Sequence, residues 1–146
     1  MAERRIYGGM LYCNIAIMNV LYCGDRNILD GLIISTLSLA KNTKTNLNIF
    51  VLTMKMRGYK EITEKSIREL EKVLQKKNPK HKVHLIDVTK EFQSDMPRAN
   101  MSTFFTPYCL LRLYSDLVEE LPKKILYLDT DVVALKEPNL LYKIDN

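Results

Sequence analysis

Two aspartates separated by one residue, Asp129 and Asp131, lie within the segment Ile125-Leu126-Tyr127-Leu128-Asp129-Thr130-Asp131-Val132-Val133. Four apolar residues lead into them and predict a buried strand that ends on a pair of carboxylates. Ionised carboxylates beside an apolar core are costly unless something cationic compensates them. A divalent metal is the simplest compensator. Hard carboxylate oxygens suit Mg²⁺ or Mn²⁺, which commonly bridge to the phosphates of a bound substrate. The carboxyl end of a strand is also where open α/β sheets place their ligand crevices. The same letters serve a polar turn that ends a strand, so the other elements must decide.

Two further groups could share that crevice. The loop Cys23-Gly24-Asp25-Arg26-Asn27 has a glycine that lets the backbone turn tightly or approach a ligand closely. Asp25 offers acceptors and Asn27 a mixed donor–acceptor pair, suited to a base edge or ribose hydroxyls. Both are also ordinary turn residues, and Asn27 is placed to cap the helix that follows. Arg112 lies off the apolar stripe of its helix, on the side of Asp116 and Glu119. It either forms an exposed i, i+4 pair with Asp116, worth roughly 0.2–0.5 kcal/mol, or reaches a carboxylate or sugar oxygen with its planar fork of donors.

Alternating strands and helices must position these groups. Ile15 to Cys23 predicts a first strand, with Ile28 to Asn42 a helix burying Leu29, Leu32, Ile33, Leu37 and Ala40. Leu47 to Thr53 is a second strand. A helix from Glu61 to Lys77 follows, burying Ile62, Ile67, Leu70, Val73 and Leu74, and Asn78-Pro79 stops it. Val83 to Val88 is a third strand, and Lys90 to Thr103 a looser segment. Thr106-Pro107 then opens a helix, as N-cap and first-turn proline, with the stripe Leu110, Leu113, Tyr114, Leu117, Val118 and Leu121. Pro122 closes it, and Lys124 to Leu128 is the fourth strand.

Repeated β-α-β units of this length imply an α/β fold, a Rossmann-like, mostly parallel sheet flanked by helices. The dinucleotide fingerprint G-x-G-x-x-G is absent after the first strand. The expected organisation is an N-terminal extension over residues 1–14 and one α/β domain over 15–146.

Bulk properties agree with one globular domain: 146 residues, 47% apolar and 27% charged. The apolar run Leu11 to Cys23, behind Arg4 and Arg5, is broken by Asn14 and Asn19 and reads as strand rather than signal peptide or membrane span. Cys13, Cys23 and Cys109 lack metal-knuckle spacing and read as reduced, buried thiols of a cytoplasmic protein. Much of the net charge of +5 lies between Lys72 and Lys82, at a helix end whose dipole favours cations. Without interleaved aromatics this cluster argues against nucleic acid, while leaving room for weak peripheral attraction to anionic membranes.

Together these segments resemble family 8 glycosyltransferases, the retaining GT-A group that includes glycogenin and bacterial lipopolysaccharide galactosyl- and glucosyltransferases. Tyr127 to Val133 is similar to that family's DxD signature. Asn19 to Asn27 resembles its first strand and uridine-contacting loop, and Leu111-Arg112-Leu113 its arginine motif before the DxD strand. His84-Leu85-Ile86-Asp87-Val88 also fits. The resemblance covers roughly residues 18–146. It implies that Asp129 and Asp131 hold Mn²⁺ or Mg²⁺ against a UDP diphosphate, and that Asp129 also contacts the ribose or sugar. It implies nucleotide contacts from Cys23, Gly24, Asp25 and Asn27, a ribose contact from the Thr130 backbone, and help from Arg112 in holding the carboxylate and the sugar. The implied donor is a UDP-sugar, UDP-glucose or UDP-galactose, and the acceptor a saccharide, glycolipid or protein.

Two positions depart from the family pattern. Ile28 stands where many relatives have a tyrosine that stacks on uracil. The family's later histidine, in H-x-x-G-x-K-P-W, has no counterpart before Asn146, and neither His81 nor His84 takes its role. The catalytic residues are therefore expected beyond Asn146, with this chain the donor-binding part of a longer enzyme and prone to self-association through uncovered apolar surface. Two other readings use the same letters. One is a haloacid-dehalogenase-like Mg²⁺ phosphatase with Asp129 as nucleophile, although three β-α units precede the motif. The other is a nucleotide-sugar-binding fragment without turnover.

Overall fold

The computed structural model describes residues 4–7, 10–13, 17–94 and 106–144. The predicted start of the first strand at Ile15, most of Lys90 to Thr103, and the thiol of Cys13 lie outside them. Strands β1 (Arg4–Tyr7) and β2 (Met10–Cys13) pair antiparallel as a separate two-stranded sheet. The main sheet holds β3 (Ile17–Cys23), β4 (Asn46–Thr53), β5 (Lys82–Asp87) and β6 (Leu126–Tyr127) in the order β5-β4-β3-β6, all parallel. The Rossmann-like α/β expectation is met. Because the chain winds outward from β3 to β5 and then returns to β6 on the other side of β3, the switch point lies between β3 and β6. At such points open α/β sheets carry their ligand crevice, beyond the carboxyl ends of the strands.

Alternation along the central strands divides two cores. Met18, Val20 and Tyr22 of β3 and Leu47, Ile49 and Val51 of β4 face helices α1 (Leu29–Asn42) and α2 (Glu64–Gln75). Leu21 of β3 and Phe50 and Leu52 of β4 face α3 (Thr89–Ser94) and a 3-10 helix, Pro107–Leu117. Both sheet faces are covered, which is why β3 and β4 read as near-continuous apolar runs.

Several faces differ from the periodicity reading. Helix α1 buries Leu32, Ser35, Thr36, Leu39 and Ala40, whereas Ile33 is exposed. Ser35 and Thr36 enter the core because their hydroxyls are paired, with the Tyr22 hydroxyl at 2.7 Å and the Leu32 carbonyl at 2.7 Å. Helix α2 begins three residues later than expected, since Thr63 is its N-cap and accepts from the Ser66 amide at 3.3 Å. Val73 on it is exposed.

The segment from Pro107 is the largest correction. It winds with three residues per turn, so Tyr108, Leu111 and Tyr114 form the buried row, while Leu113 and Leu117 are exposed. The fourth strand is also shorter than expected and lies on the sheet edge; Ile125 to Leu128 are only half-buried. A short helix α4 (Asn139–Tyr142) packs Tyr142 into the first core. No helix among the described residues is long and apolar enough to cross a membrane.

Candidate functional site

Strand β3 leaves the sheet at Cys23, and the backbone stays tied to its neighbour through the Gly24 amide, which donates to the Leu52 carbonyl at 3.0 Å. A side chain at position 24 would meet Ile28 at 2.6 Å, so glycine lets Ile28 fold back over the loop. Asp25 is only 3% exposed and accepts from the Asn27 amide at 3.1 Å and the Asn27 side-chain amide at 3.0 Å. Asp25 rather than Asn27 is thus the capping residue, and it caps the 3-10 turn Arg26–Ile28. The N-cap of α1 itself is Ile28, without a side-chain bond. The Asn27 carbonyl oxygen and the remaining acceptor capacity of Asp25 are what this loop can offer a ligand.

On the neighbouring edge, the Leu128 amide donates to the Leu21 carbonyl at 3.0 Å and carries the ladder past β6 to Asp129. Tyr127 and Asp129 lie two residues apart on an extended chain and share a face. The Tyr127 hydroxyl donates to Asp129 Oδ1 at 2.6 Å. Asp129 and Asp131 are exposed, not buried beside the core as expected, because among the described strands β6 is paired on one side only. Their fitness for a cation therefore rests on their paired, accessible oxygens and not on relief of burial.

The 3-10 helix supplies the cation. Residues 106, 109 and 112 recur every three positions and share a row, which brings Thr106, Cys109 and Arg112 to the cleft together. Asp116 is swung about 120° away from Arg112 at this winding. The α-helical i, i+4 reading therefore gives way to a different partner. The Arg112 guanidinium lies 5.4 Å from the centroid of the Tyr127 ring. The Tyr127 phenol beside it is the main cause that raises its pKa above the ordinary value, with the Asp129 charge adding to it. Tyr127 thus stands between Arg112, which lies over its ring, and Asp129, which accepts from its hydroxyl. Burial, with the bond to Asp129 adding to it, pushes the Tyr127 phenol up to about 12, so it stays a neutral donor. Burial likewise pushes the Cys23 thiol up to about 12, which leaves it an inert wall of the cleft. Cys23 and Cys109 are both free and only partly buried.

Two adjoining hollows meet at the Asp129-Thr130-Asp131 turn. One, of about 480 Å³, lies among Cys23, Gly24, Tyr108, Arg112, Tyr127 and Asp129. The other, of about 490 Å³, lies among Asp25, Asn27, Gly31, Ile34 and Val133. Ile28, Thr106, Thr130 and Asp131 line both. All eight sequence-derived site residues (Cys23, Gly24, Asp25, Asn27, Arg112, Asp129, Thr130 and Asp131) line one hollow or the other. Sequence reasoning passed over Tyr127, Thr106, Cys109 and Gly31. Tyr127 was visible as the i−2 neighbour of Asp129, and Gly31 as an isolated glycine inside a helical pattern.

Among the described residues no group of three or more His, Cys, Asp or Glu side chains is arranged to hold a metal. Two carboxylates on one turn nonetheless fit Mg²⁺ or Mn²⁺, which are commonly bound through one or two carboxylates, with phosphate and water filling the other positions.

A doubly wound parallel sheet with a polar cleft at its switch point defines a class, the α/β proteins that bind a ligand beyond their strand ends. The chain matches Glycosyl transferase family 8 over residues 19–146 and belongs to that family of glycosyltransferases. No curated protein sequence matches it. Membership implies a nucleotide-sugar donor and an acceptor, and the family's enzymes generally depend on a divalent metal. It also decides between sugar transfer and the phosphatase reading, in favour of the former.

Proposed function

We propose that this chain binds a UDP-sugar, UDP-glucose or UDP-galactose, through Mn²⁺ or Mg²⁺ held by Asp129 and Asp131, in a hexosyl transfer that retains anomeric configuration. The acceptor is a saccharide, glycolipid or protein. The observation that carries this reading is the convergence of three separate segments on one cleft: the β3 loop, Arg112 of the 3-10 helix, and the Asp129–Asp131 turn.

Each segment has a part in that reading. Asp25 and Asn27 receive the base and Ile28 packs against its face; an isoleucine supplies contact area without aromatic stacking. Gly24 lets the backbone approach the nucleotide. The Thr130 backbone meets the ribose. Asp129, held by Tyr127, contacts the ribose or sugar as well as the cation. Arg112 adds fixed positive charge beside the diphosphate, where negative charge grows as the sugar departs. When bound, the metal supplies Lewis-acid stabilisation of that leaving group. The domain reading follows: residues 15–146 act as the nucleotide-sugar-binding domain, preceded by residues 1–14.

Calorimetry of UDP with and without Mn²⁺ tests the site. The expected result is metal-dependent binding that weakens about 100-fold or more in Asp129→Ala/Asp131→Ala. A folded wild-type chain that ignores UDP and Mn²⁺ would remove the reading, as would a double variant that binds as well as wild type.

A further inference from the structure

Edge strand β6 is two residues long, yet the turn after it must hold two carboxylates in a fixed relation. Asp129 is secured from the strand side, by the Leu128–Leu21 bond and the Tyr127 hydroxyl. Asp131 lies beyond the ladder, in a turn that the Val132 amide closes on the Asp129 carbonyl at 3.1 Å, and the chain leaving that turn is held by α1. Helix α1 runs alongside the departing chain and touches it at successive turns. A Cβ at Gly31 would sit 2.8 Å from the Thr130 carbonyl oxygen and 3.1 Å from Thr130 Cβ, so backbone and helix abut there with no room for a methyl group. Two turns on, Ser38 Oγ accepts from the Ala134 amide at 2.8 Å while donating to the Ser35 carbonyl at 2.7 Å, which fixes the hydroxyl's direction. One turn further, Asn42 Nδ2 donates to the Ala134 carbonyl at 2.8 Å.

The spacing is consistent. Residues 31, 38 and 42 differ by seven and four, the repeat of one helix face. Seven helical residues rise about 10.5 Å, within the reach of about 13 Å for four extended residues between 130 and 134. Past the helix end, Thr43 Oγ1 and the Lys44 amide donate to Glu137 at 2.8 and 3.1 Å, so the same track continues. Ser38 and Asn42 are thus spent on the backbone of Ala134, and Gly31 on the backbone of Thr130.

We propose that Gly31, Ser38 and Asn42 are positioning residues: α1 is the ruler that sets where Asp131 stands relative to Asp129. The functional side of this proposal rests on the metal–nucleotide reading of those two aspartates. Alanine at an ordinary helical position stabilises relative to glycine. At Gly31 it must instead push the Thr130 backbone away, so the predicted loss is in ligand binding with little change in fold stability.

The test combines UDP–Mn²⁺ calorimetry, thermal melting and amide hydrogen exchange on the full chain. Gly31→Ala and Ser38→Ala are expected to weaken Mn²⁺-dependent UDP binding about tenfold, with melting temperatures near wild type. Ser38→Thr, which keeps the hydroxyl, should restore binding. Exchange at the Ala134 amide should accelerate in Ser38→Ala and not in Ser38→Thr, while the β3 and β4 amides stay protected. Wild-type affinity in both Gly31→Ala and Ser38→Ala overturns the proposal. If wild type itself binds no UDP, the donor reading fails, and Ala134 exchange decides the ruler separately: unaltered exchange in Ser38→Ala overturns it as well.

Discussion

The two ends of the sheet are built to opposite plans. At the amino-terminal end of the strands, polar groups close on one another. His81, 1% exposed, accepts the Leu47 amide on Nδ1 at 3.0 Å. Asn78 donates to Asn46 at 3.0 Å, and Thr45 to Asn139 at 3.0 Å. At the carboxyl-terminal end, Asp129, Asp131, Arg112 and Asn27 stand exposed around the same cleft. Closed polar networks are worth most as stability, because an orphaned buried partner bears its full desolvation penalty. An open set contributes little to folding and is available to a ligand. The difference separates scaffold from site more cleanly than residue type does, since asparagines occur at both ends: Asn46 and Asn78 at one, Asn27 at the other.

Substitution at the open end should show the largest effect on binding and almost none on folding. The double variant Asp129→Ala/Asp131→Ala, expected to lose UDP–Mn²⁺ affinity about 100-fold or more, should unfold in urea within about 0.5 kcal/mol of wild type, as exposed positions do. A large stability loss would show that the turn belongs to the scaffold. Asp25 sharpens the contrast, because it sits at the open end but is built like the closed one. Asp25→Ala removes two hydrogen bonds from a buried carboxylate that caps a turn. It should cost about 1–2 kcal/mol in urea unfolding together with UDP affinity. A binding loss with unchanged stability would move Asp25 wholly to the ligand side.

How much of this could be read from the chain follows the same division. Strand positions in the centre of the sheet were readable, because β3 and β4 are buried on both faces and their composition announces it. The crevice was readable too: strand order in a β-α-β chain brings the loop after β3 and the turn after β6 together whatever the side-chain details. Periodicity failed where a polar residue is buried with a partner, as Ser35 and Thr36 are, since hydropathy alone assigns them to the surface. It failed more seriously from Pro107 to Leu117. Leu110, Leu113 and Leu117 fit a 3.6-residue stripe, but the winding is set by Tyr108, Leu111 and Tyr114 packing under the sheet at a period of three. That change of period is what turns Arg112 from a surface pair with Asp116 into the partner of Tyr127. The exposure of Asp129 and Asp131 was hidden as well, because Ile125 to Leu128 are apolar enough for a central strand yet sit on the edge.

Tyr127 tests the boundary on a smaller scale. Its hydroxyl donates to Asp129, while its ring lies under Arg112 and packs against the second core. Tyr127→Phe keeps the ring and removes the hydrogen bond to Asp129. The expected result is a loss of about five- to tenfold in metal-dependent UDP affinity, at or below the low end for a ligand's hydrogen-bond partner because Asp129 is exposed. Stability should be nearly unchanged. Calorimetry at wild-type affinity would show that Asp129 needs no orientation from Tyr127.

The last contrast lies at the closed end and shows only in acid. Burial lowers the pKa of His81 below its ordinary 6.5, and the neutral ring is the form that can accept the Leu47 amide. Protonation would set a donor against that donor and leave a charge in a dry site. The unfolded chain, with an imidazole pKa of about 6.5, takes up this proton before the folded one does. More protons are then bound in the unfolded state, and stability falls as pH falls. The contribution of His81 is therefore complete above about 6.5 and is lost progressively as pH drops from there through the lowered folded value. In His81→Asn the amide oxygen can stand in for Nδ1 without titrating. Urea unfolding of both proteins across this range, at constant ionic strength, should give curves that converge toward acid as wild type loses its advantage, because the carboxylates they share cancel in the difference. Parallel curves would mean that His81 accepts its proton without cost, and that this end of the sheet is less closed than its hydrogen bonds indicate.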